Sequence, residues 1–139
     1  MNLLKKISIL LLAFLPIQTY ALTFPPSIEI PPTTYITDMA EGGLYYPEEK
    51  RIELKNNDPW TYAHEVGHHN LWGKDWPDCY SQTGFFRELP HKSAVEDAAD
   101  SFAYFYFSRK NFRAKADQNK CLMSKYRFIY RLFYPRNTL

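Results

Sequence analysis

Hydrophobic and polar positions predict strands in the first half of the chain. Residues 44–46 (Leu-Tyr-Tyr) and residues 51–55 (Arg-Ile-Glu-Leu-Lys) flank a Pro-Glu-Glu-Lys segment, and the second run alternates polar and apolar side chains. This alternation is typical of a half-buried strand, so the two runs predict a β-hairpin. A further short strand is predicted at residues 35–39, before the Glu-Gly-Gly turn at residues 41–43.

A helix is predicted directly after the hairpin. Asp58 followed by Pro59 is a strong helix start. Asp is a favoured N-cap, and Pro at the first helical position loses no hydrogen bond. The helix is expected to end near Trp72, because Gly73 supplies a natural C-terminal stop.

The rest of the chain also predicts helices. A loop at residues 74–90 leads to a second helix over about residues 92–110. One or two more helices are expected over about residues 114–134, and Pro135 ends them. Strands followed by helices predict a small α+β domain with a short N-terminal sheet.

Residues 1–21 have the pattern of a secretory signal peptide. Lys5 and Lys6 form a short positive region, residues 7–17 are apolar, and the segment ends in a Thr-Tyr-Ala cleavage pattern. We therefore expect cleavage after Ala21 and a secreted or periplasmic protein. The apolar run is too short to span a bilayer comfortably, so no membrane span is expected after cleavage.

The segment that follows the predicted signal is rich in proline. Residues 22–34 contain two proline pairs, which favour extended structure and remove backbone donors. We expect an extended arm before a domain at residues 35–139. An ordinary disordered terminus is the favoured interpretation, and a proregion is the alternative.

Composition indicates a single packed domain without a nucleic-acid partner. Apolar residues make up 45% of the 139 residues and charged residues 23%, which favours a packed core over disorder. Without the predicted signal the chain has 15 basic and 15 acidic residues. Basic residues concentrate near the C-terminus, between aromatic residues. This pattern favours an amphipathic helix over a nucleic-acid surface, because secretion is expected and no recognition motif is present.

Two cysteines suggest one disulfide. Cys79 and Cys121 are the only cysteines in the chain, and secretion would expose them to an oxidising compartment. The even number favours a bond that ties the middle of the chain to its last segment.

The predicted helix after Pro59 carries the strongest chemical motif. His64-Glu65-Val66-Gly67-His68 places two imidazoles at positions i and i+4, which lie on one face of a helix. This is the HExxH pattern, in which the two His bind one Zn²⁺ and the Glu acts as general base. Gly67 is unfavourable inside a helix by about 1 kcal/mol, which suggests close packing of the backbone beside the site.

The third zinc ligand is predicted on the next helix. Glu96 and Asp100 again lie at i and i+4, so Glu96 can bind the metal while Asp100 accepts the outer N–H of His64. Ser93 and Glu96 also match a capping box, which would tie Glu96 to the backbone. In that case Asp97, Asp100 or His91 would serve the metal. The paired carboxylates favour Glu96.

These motifs resemble the gluzincin group of zinc metallopeptidases. The similarity rests on His64-Glu65-x-x-His68 and on the run from Glu96 to Ala103, which is similar to the third-ligand helix of lethal-factor-like and proline-proline endopeptidases. It implies a zincin-like domain with a small sheet, an active-site helix and a glutamate helix. It also implies endopeptidase activity with one zinc ion.

No motif identifies two further parts of such a site, the residue that stabilises the oxyanion and the strand that binds the substrate. The residue that steadies the oxyanion is not fixed by a motif, and Tyr104, His91 and Tyr80 are the candidates. A peptide or protein substrate could lie extended along the strand from Arg51 to Lys55 if that strand forms the edge of the sheet. The alternative is that this strand is only the second arm of the hairpin.

The sequence thus predicts a secreted zinc endopeptidase in which Glu65 activates the zinc-bound water. The first alternative is a non-catalytic module that binds zinc or a partner on the same scaffold. The second is a zinc amide hydrolase that acts on cell-wall material. Glu65 favours the enzyme, because a purely structural zinc site needs no base at that position.

Overall fold

The computed structural model describes residues 22–77 and 93–136, which form a three-stranded sheet and three helices. In chain order the elements are β1 (Thr33–Tyr35), β2 (Gly43–Tyr46), β3 (Arg51–Leu54), α1 (Pro59–Leu71), α2 (Ala94–Ala116) and α3 (Lys120–Phe133). The predicted α+β class is confirmed.

The sheet has the order β1-β3-β2, with β3 in the centre. β2 and β3 form the predicted antiparallel hairpin, and β1 pairs with β3 in parallel. The predicted strand at residues 35–39 was placed too late in the chain. Pairing begins when Pro32 O accepts from Ile52 N, and it ends when Ile36 N donates to Leu54 O.

The two faces of β3 lie in opposite environments. Ile52 and Leu54 are fully buried in the core. On the other face Arg51 forms an ion pair with Glu53, and Tyr46 donates a hydrogen bond to the same carboxylate at 2.8 Å. One face of the sheet therefore packs on the helices, as the polar and apolar alternation predicts.

Each helix begins at a residue whose side chain caps it. The Asp58 carboxylate accepts from Thr61 N at 2.7 Å, as the sequence predicted. Ser93 accepts from the backbone of α2, and Asn119 accepts from two N–H groups of α3. After α1 the backbone φ of Gly73 is 69°, a left-handed conformation that glycine adopts without strain.

Gly67 allows α1 and α2 to approach closely. A Cβ at this position would lie 2.9 Å from the Cβ of Phe102 and 3.1 Å from the carbonyl O of Ala99. Both distances are shorter than ordinary contacts, so a larger side chain would push the helices apart. Because the metal-ligand candidates are divided between these two helices, Gly67 sets the distance between them.

α2 is longer than predicted and contains a kink. Its backbone leaves the helical region at Ser108, with φ −146° and ψ 46°, and helical structure resumes beyond it. α3 packs on α2 through an aromatic core in which the ring centroids of Phe105 and Phe133 lie 4.9 Å apart. Tyr126 is buried against Phe105 and Phe112.

The proline-rich arm is an integral part of the fold. Ile28 is buried in the core, and Ser27 Oγ donates to Phe133 O. Asn70 holds the arm by two hydrogen bonds, since its Oδ1 accepts from Glu29 N and its Nδ2 donates to Glu29 O. The expected disordered terminus is therefore wrong for residues 22–34, because this segment buries apolar side chains of its own. The expected boundary before residue 35 also falls inside β1.

Several sequence predictions concern residues outside the described part of the chain. Residues 1–21, with the predicted signal, lie there, and so do Cys79 and most of the predicted loop at 74–90. Cys121 lies on α3 and is disulfide-bonded. Within residues 22–77 and 93–136, no helix has the length and apolar character needed to cross a bilayer.

Candidate metal centre

Three of the predicted ligands converge between α1 and α2. His64 Nε2 lies 3.2 Å from Glu96 Oε2, and His68 Nε2 lies 3.2 Å from Glu96 Oε1. One donor atom from each residue can be chosen so that all three lie within 4.8 Å of one another. Residues that are 28 to 32 positions apart in sequence thus present their donor atoms to one point.

The spacing of these donors fits a zinc ion. Two ligands that are each about 2.0–2.1 Å from a tetrahedral centre lie about 3.3 Å apart. Each imidazole nitrogen lies 3.2 Å from one of the two Glu96 oxygens, which is close to that value, and one donor atom per residue can be chosen with all separations within 4.8 Å. Two imidazoles and one carboxylate also form a donor set that is typical of catalytic zinc sites, which leave a further position for water.

Asp100 fixes the orientation of His64. Its Oδ1 lies 2.8 Å from His64 Nδ1, and the carboxylate is only 4% exposed. A carboxylate at this distance requires the proton on Nδ1, so Nε2, which faces Glu96, is the nitrogen that can bind a metal once it has lost its own proton. The predicted contact between Asp100 and His64 is therefore present.

His68 lacks such a partner among the described residues. Its Nδ1 is buried and makes no hydrogen bond within residues 22–77 and 93–136. Its ring lies nearly parallel to that of Tyr45, with the centroids 6.5 Å apart. The two imidazoles are thus positioned by different means, one by a carboxylate and the other by packing.

The close carboxylates change the protonation of the site. Burial works against a charged His64, but hydrogen bonds to Asp100 and Glu96 outweigh it and raise the pKa of His64 to about 9. The same bonds from His64, together with those from His68, hold the pKa of Glu96 well below its usual range. In the absence of metal, His64 therefore carries a proton at the position where the metal cation would bind.

Glu65 lies under β2. Glu65 is 5% exposed, and burial raises the pKa of its carboxyl against the lowering effect of His64 and His68. A Cβ on Gly43 would lie 2.9 Å from Glu65 Oε1, which is too close for any other residue without rearrangement. A larger residue at position 43 would therefore displace the side chain of Glu65 or Thr61.

The capping and ligand interpretations of Glu96 are compatible. Glu96 N donates to Ser93 Oγ at 3.3 Å, so Ser93 caps α2, while the Glu96 carboxylate faces the two imidazoles. Asp97, one of the alternative ligands, has a different partner. Its Oδ2 lies 2.6 Å from Lys125 Nζ and accepts from the indole of Trp76 at 2.9 Å.

A cavity of about 330 Å³ opens over the three ligands and Glu65. Five residues of its wall were not predicted from the sequence as part of the site. They are Glu41, Gly43, Leu44, Tyr45 and Trp72. The Glu-Gly-Gly turn directly before β2 was the only local signal for part of this set, since it offers a backbone without side chains next to a strand.

Tyr45 connects the cavity wall to the arm through His69. Tyr45 OH lies 3.0 Å from His69 Nδ1, and His69 Nε2 lies 3.3 Å from a Glu29 carboxylate oxygen. The His69 side chain is 5% exposed. His69 therefore faces away from the ligands and holds the strand that lines the cavity.

The structure separates Tyr104 from the cavity. Its ring packs on Trp60 and Phe112, with centroids 6.4 Å and 5.9 Å away, and it does not line the space over the ligands. One turn of helix beyond Asp100 carries it past the site. The other two oxyanion candidates, Tyr80 and His91, lie outside the described residues.

The strand predicted to hold the substrate is not at an edge of the sheet. β3, which includes Arg51 to Leu54, is paired on both sides, and Lys55 N donates to Gly42 O. Its backbone groups are therefore occupied. β2 has no strand partner on its other side among residues 22–77 and 93–136, and it is β2 that borders the cavity.

Within the described residues, the unpaired edge of β2 exposes the backbone groups of two residues. Lys55 N donates to Gly42 O, and hydrogen-bonded pairs alternate along an antiparallel ladder. Gly43 and Tyr45 therefore direct their N–H and C=O groups away from β3. These are the groups that an added strand would pair with.

A larger cavity of about 550 Å³ lies elsewhere, between the arm and the C-terminal part of α3. It is lined mainly by aromatic residues and prolines, with Arg109 as its charged member. Within the part of the chain that the structure describes, no histidine or carboxylate borders it. The ionisable cluster therefore belongs to the smaller cavity.

Comparisons of the chain with protein-family models, with curated proteins and with solved structures found no match.

Proposed function

We propose that this protein is a zinc-dependent endopeptidase. The observation that carries the proposal is the convergence of His64, His68 and Glu96 in a cavity that also contains Glu65 and borders an open strand edge. A metal site alone would suit a structural role. A metal site beside a buried carboxylate and a strand edge suits the hydrolysis of an extended peptide.

Zinc would be held by the two imidazoles and the Glu96 carboxylate. A zinc ion held by these residues would lower the pKa of a bound water toward neutrality and would polarise a peptide carbonyl. Asp100 keeps His64 in the tautomer that binds metal. The resemblance to gluzincins, which rests on the same residues, supports this assignment.

Glu65 is the proposed general base. Its carboxylate accepts a proton from the attacking water as the new C–O bond forms at the peptide carbonyl. It then delivers that proton to the amide nitrogen as the C–N bond breaks. The products are a carboxylic acid and an amine, which ionise in water to a carboxylate and an ammonium group, and Glu65 is regenerated. Its position under Gly43 supports this role, because the edge of β2 would hold the peptide next to it.

The substrate would add a strand to β2. The N–H and C=O groups of Gly43 and Tyr45 face the open edge, so an extended peptide could form two pairs of backbone hydrogen bonds there. This places the peptide on the opposite side of β2 from β3, and it replaces the strand assignment made from sequence.

Secretion remains part of the proposal. It rests on the pattern of residues 1–21 and on the cysteine pair. N-terminal sequencing of the protein recovered outside the cytoplasm should begin at Leu22. Two free thiols in the intact protein would contradict the predicted bond between Cys79 and Cys121.

The test combines metal content with turnover. Zinc-reconstituted protein should contain one zinc per chain by mass spectrometry and should cleave members of a peptide library. Glu65→Gln should keep the zinc and lose at least about 100-fold in kcat, since general-base catalysis contributes that much. Glu48→Gln, which changes an exposed glutamate outside the cavity, should behave as wild type.

Each failure has a defined meaning. Protein without stoichiometric zinc would contradict the metal site itself. Protein that holds zinc and cleaves no peptide would favour the non-catalytic module. Cleavage of cell-wall amides but not of peptides would favour the other hydrolase.

A further inference from the structure

Gly43 marks the centre of the cavity along β2. A Cβ there would contact Glu65 Cγ and Oε1 at 2.9 Å, so the part of a bound peptide nearest Gly43 is also nearest the proposed base. Positions along β2 can therefore be counted from Gly43. Two residues before it stands Glu41, and two residues after it stands Tyr45.

The Glu41 end of the cavity is negatively charged. Glu41 lines the cavity, is exposed, and forms no ion pair within residues 22–77 and 93–136. An exposed carboxylate on the wall of a cleft attracts a positive group that approaches through the solvent.

The other end of the cavity is aromatic. The ring centroids of Tyr45 and Trp72 lie 5.9 Å apart, and both residues line the cavity. Trp72 is 49% exposed, which is unusual for so large an apolar side chain. Two rings that meet at an edge with one of them open to solvent form a surface for an apolar or aromatic group.

The spacing of side chains along an extended peptide matches the distance between the acidic and the aromatic end of the cavity. Side chains on one face of a strand recur every second residue, or about 7 Å. β2 begins at Gly43 and its pairing with β3 extends to Gly42, so Glu41 lies one residue beyond the paired segment. A peptide that pairs with the open edge of β2 therefore brings one side chain toward Glu41 and another toward Tyr45 and Trp72. These two side chains lie two residues to either side of the one opposite Gly43.

We propose that the site selects extended peptides with a basic side chain two residues to one side of the position opposite Gly43 and an aromatic or large apolar side chain two residues to the other. This inference rests on the proposed function and names the class of peptide that the same site takes. Exposed charge pairs contribute little each, so the expected preference for Lys over Gln is about three- to five-fold.

Binding to the zinc-loaded Glu65→Gln protein tests the inference without turnover. Fluorescein-labelled octapeptides would carry Lys, Gln or Glu in turn on each side of a central Ala-Ala-Ala triplet, with Phe or Ala on the opposite side. Anisotropy titrations should give affinities in the order Lys, Gln, Glu for one of the two orientations. Phe should bind more tightly than Ala at the opposite position.

Variants connect each preference to its residue. Glu41→Gln should make the Lys and Gln peptides bind equally, and Trp72→Ala should remove the advantage of Phe over Ala. Glu48→Gln is the matched control, because it removes an exposed glutamate outside the cavity and should retain both preferences. Equal binding of Lys and Glu peptides, or a Lys preference that survives Glu41→Gln, overturns the inference.

The wild-type protein separates this inference from the proposed function. Peptides that bind with the expected preference but are never cleaved would contradict the endopeptidase and leave the binding inference intact. Cleavage of the library without enrichment of basic and aromatic residues around the cut would overturn the inference alone. Absence of any peptide binding by the Glu65→Gln protein also overturns it.

Discussion

Glu96 and Asp97 are neighbours on the first turn of α2, yet their carboxylates lie in opposite environments. Asp97 is 0% exposed and forms an ion pair with Lys125, which is also fully buried. The Glu96 side chain is 51% exposed and faces two imidazoles, which are cationic only when protonated. Asp97 thus has a lysine of the same chain as its partner. Glu96 instead faces two imidazole nitrogens that could bind a metal ion together with it.

Because of this difference, we expect one residue of this helical turn, Asp97, to contribute to stability and its neighbour, Glu96, to contribute to metal binding. A buried ion pair that loses one partner is strongly destabilising, because the remaining charge stays in a low dielectric. A half-exposed carboxylate can lose its partner with little effect on folding, since water replaces it. We therefore expect changes at Asp97 and Lys125 to alter the melting temperature and changes at Glu96 to alter metal affinity.

The largest effect is expected for Lys125→Met. The unpaired Asp97 should lower the free energy of unfolding by about 3–5 kcal/mol, which corresponds to roughly 15 °C or more in Tm. Thermal unfolding followed by circular dichroism measures this loss. Asp97→Asn combined with Lys125→Met should recover part of it, because Asn can still accept from Trp76. Arg127→Met, on the exposed face of α3, should change Tm by only a few degrees.

The next largest effect is expected for Glu96→Ala. Removal of one of three ligands should raise the zinc Kd by more than about 100-fold, since changes outside the ligand set already cost 10- to 100-fold. Competition titration with a chelating dye measures it. The metal-free Tm should change by only a few degrees. Wild-type affinity in this variant would move the third ligand away from Glu96.

Raising the pH should destabilise the metal-free protein. The pKa of His64 is about 9 in the fold and about 6.5 in the unfolded chain, so its stabilising proton is fully bound below pH 6.5 and is lost as the pH rises through 9. Between pH 6.5 and 8 the loss should reach about 2 kcal/mol. Melting curves across this range test it. Zinc-loaded protein should not show the decline, because zinc binds the neutral imidazole.

A smaller effect is expected for Asp100→Asn. The amide can still accept from His64 Nδ1, but it lacks the charge that strengthens this bond, so the zinc Kd should rise by about ten-fold. Isothermal titration calorimetry measures it. If the amide variant binds zinc as tightly as wild type, Asp100 acts through packing alone and its proposed role in orienting His64 is wrong.

Local patterns predicted the helices and the residues at their faces. Asp58 and Ser93 cap helices as their sequence contexts indicated, and i,i+4 spacing placed His64 with His68 and Glu96 with Asp100. These predictions succeeded because they depend on backbone geometry within one or two turns. The sequence also predicted the close approach of α1 and α2 at Gly67, because a glycine inside a helix is unfavourable unless the backbone packs closely there.

Long-range pairing limited the rest of the prediction. The edge of the sheet depends on β1, which pairs in parallel with β3 across about 20 residues, and no local pattern specifies that contact. The same holds for Asn70, which fixes the arm through two bonds to Glu29. The position of Tyr45 and Trp72 on the cavity wall depends on this order of strands, so no local pattern predicts it. Alternation identified each strand but not its neighbours.

The open edge of β2 also affects how the protein behaves in concentrated solution. Backbone N–H and C=O groups do not distinguish a peptide from a segment of a neighbouring molecule, so any extended chain can pair with Gly43 and Tyr45. Crowded molecules would then occupy one another's edges and act as mutual competitive inhibitors. The proposed peptidase activity per molecule would decline on concentration and return on dilution, because β2 has no strand partner on one side within residues 22–77 and 93–136.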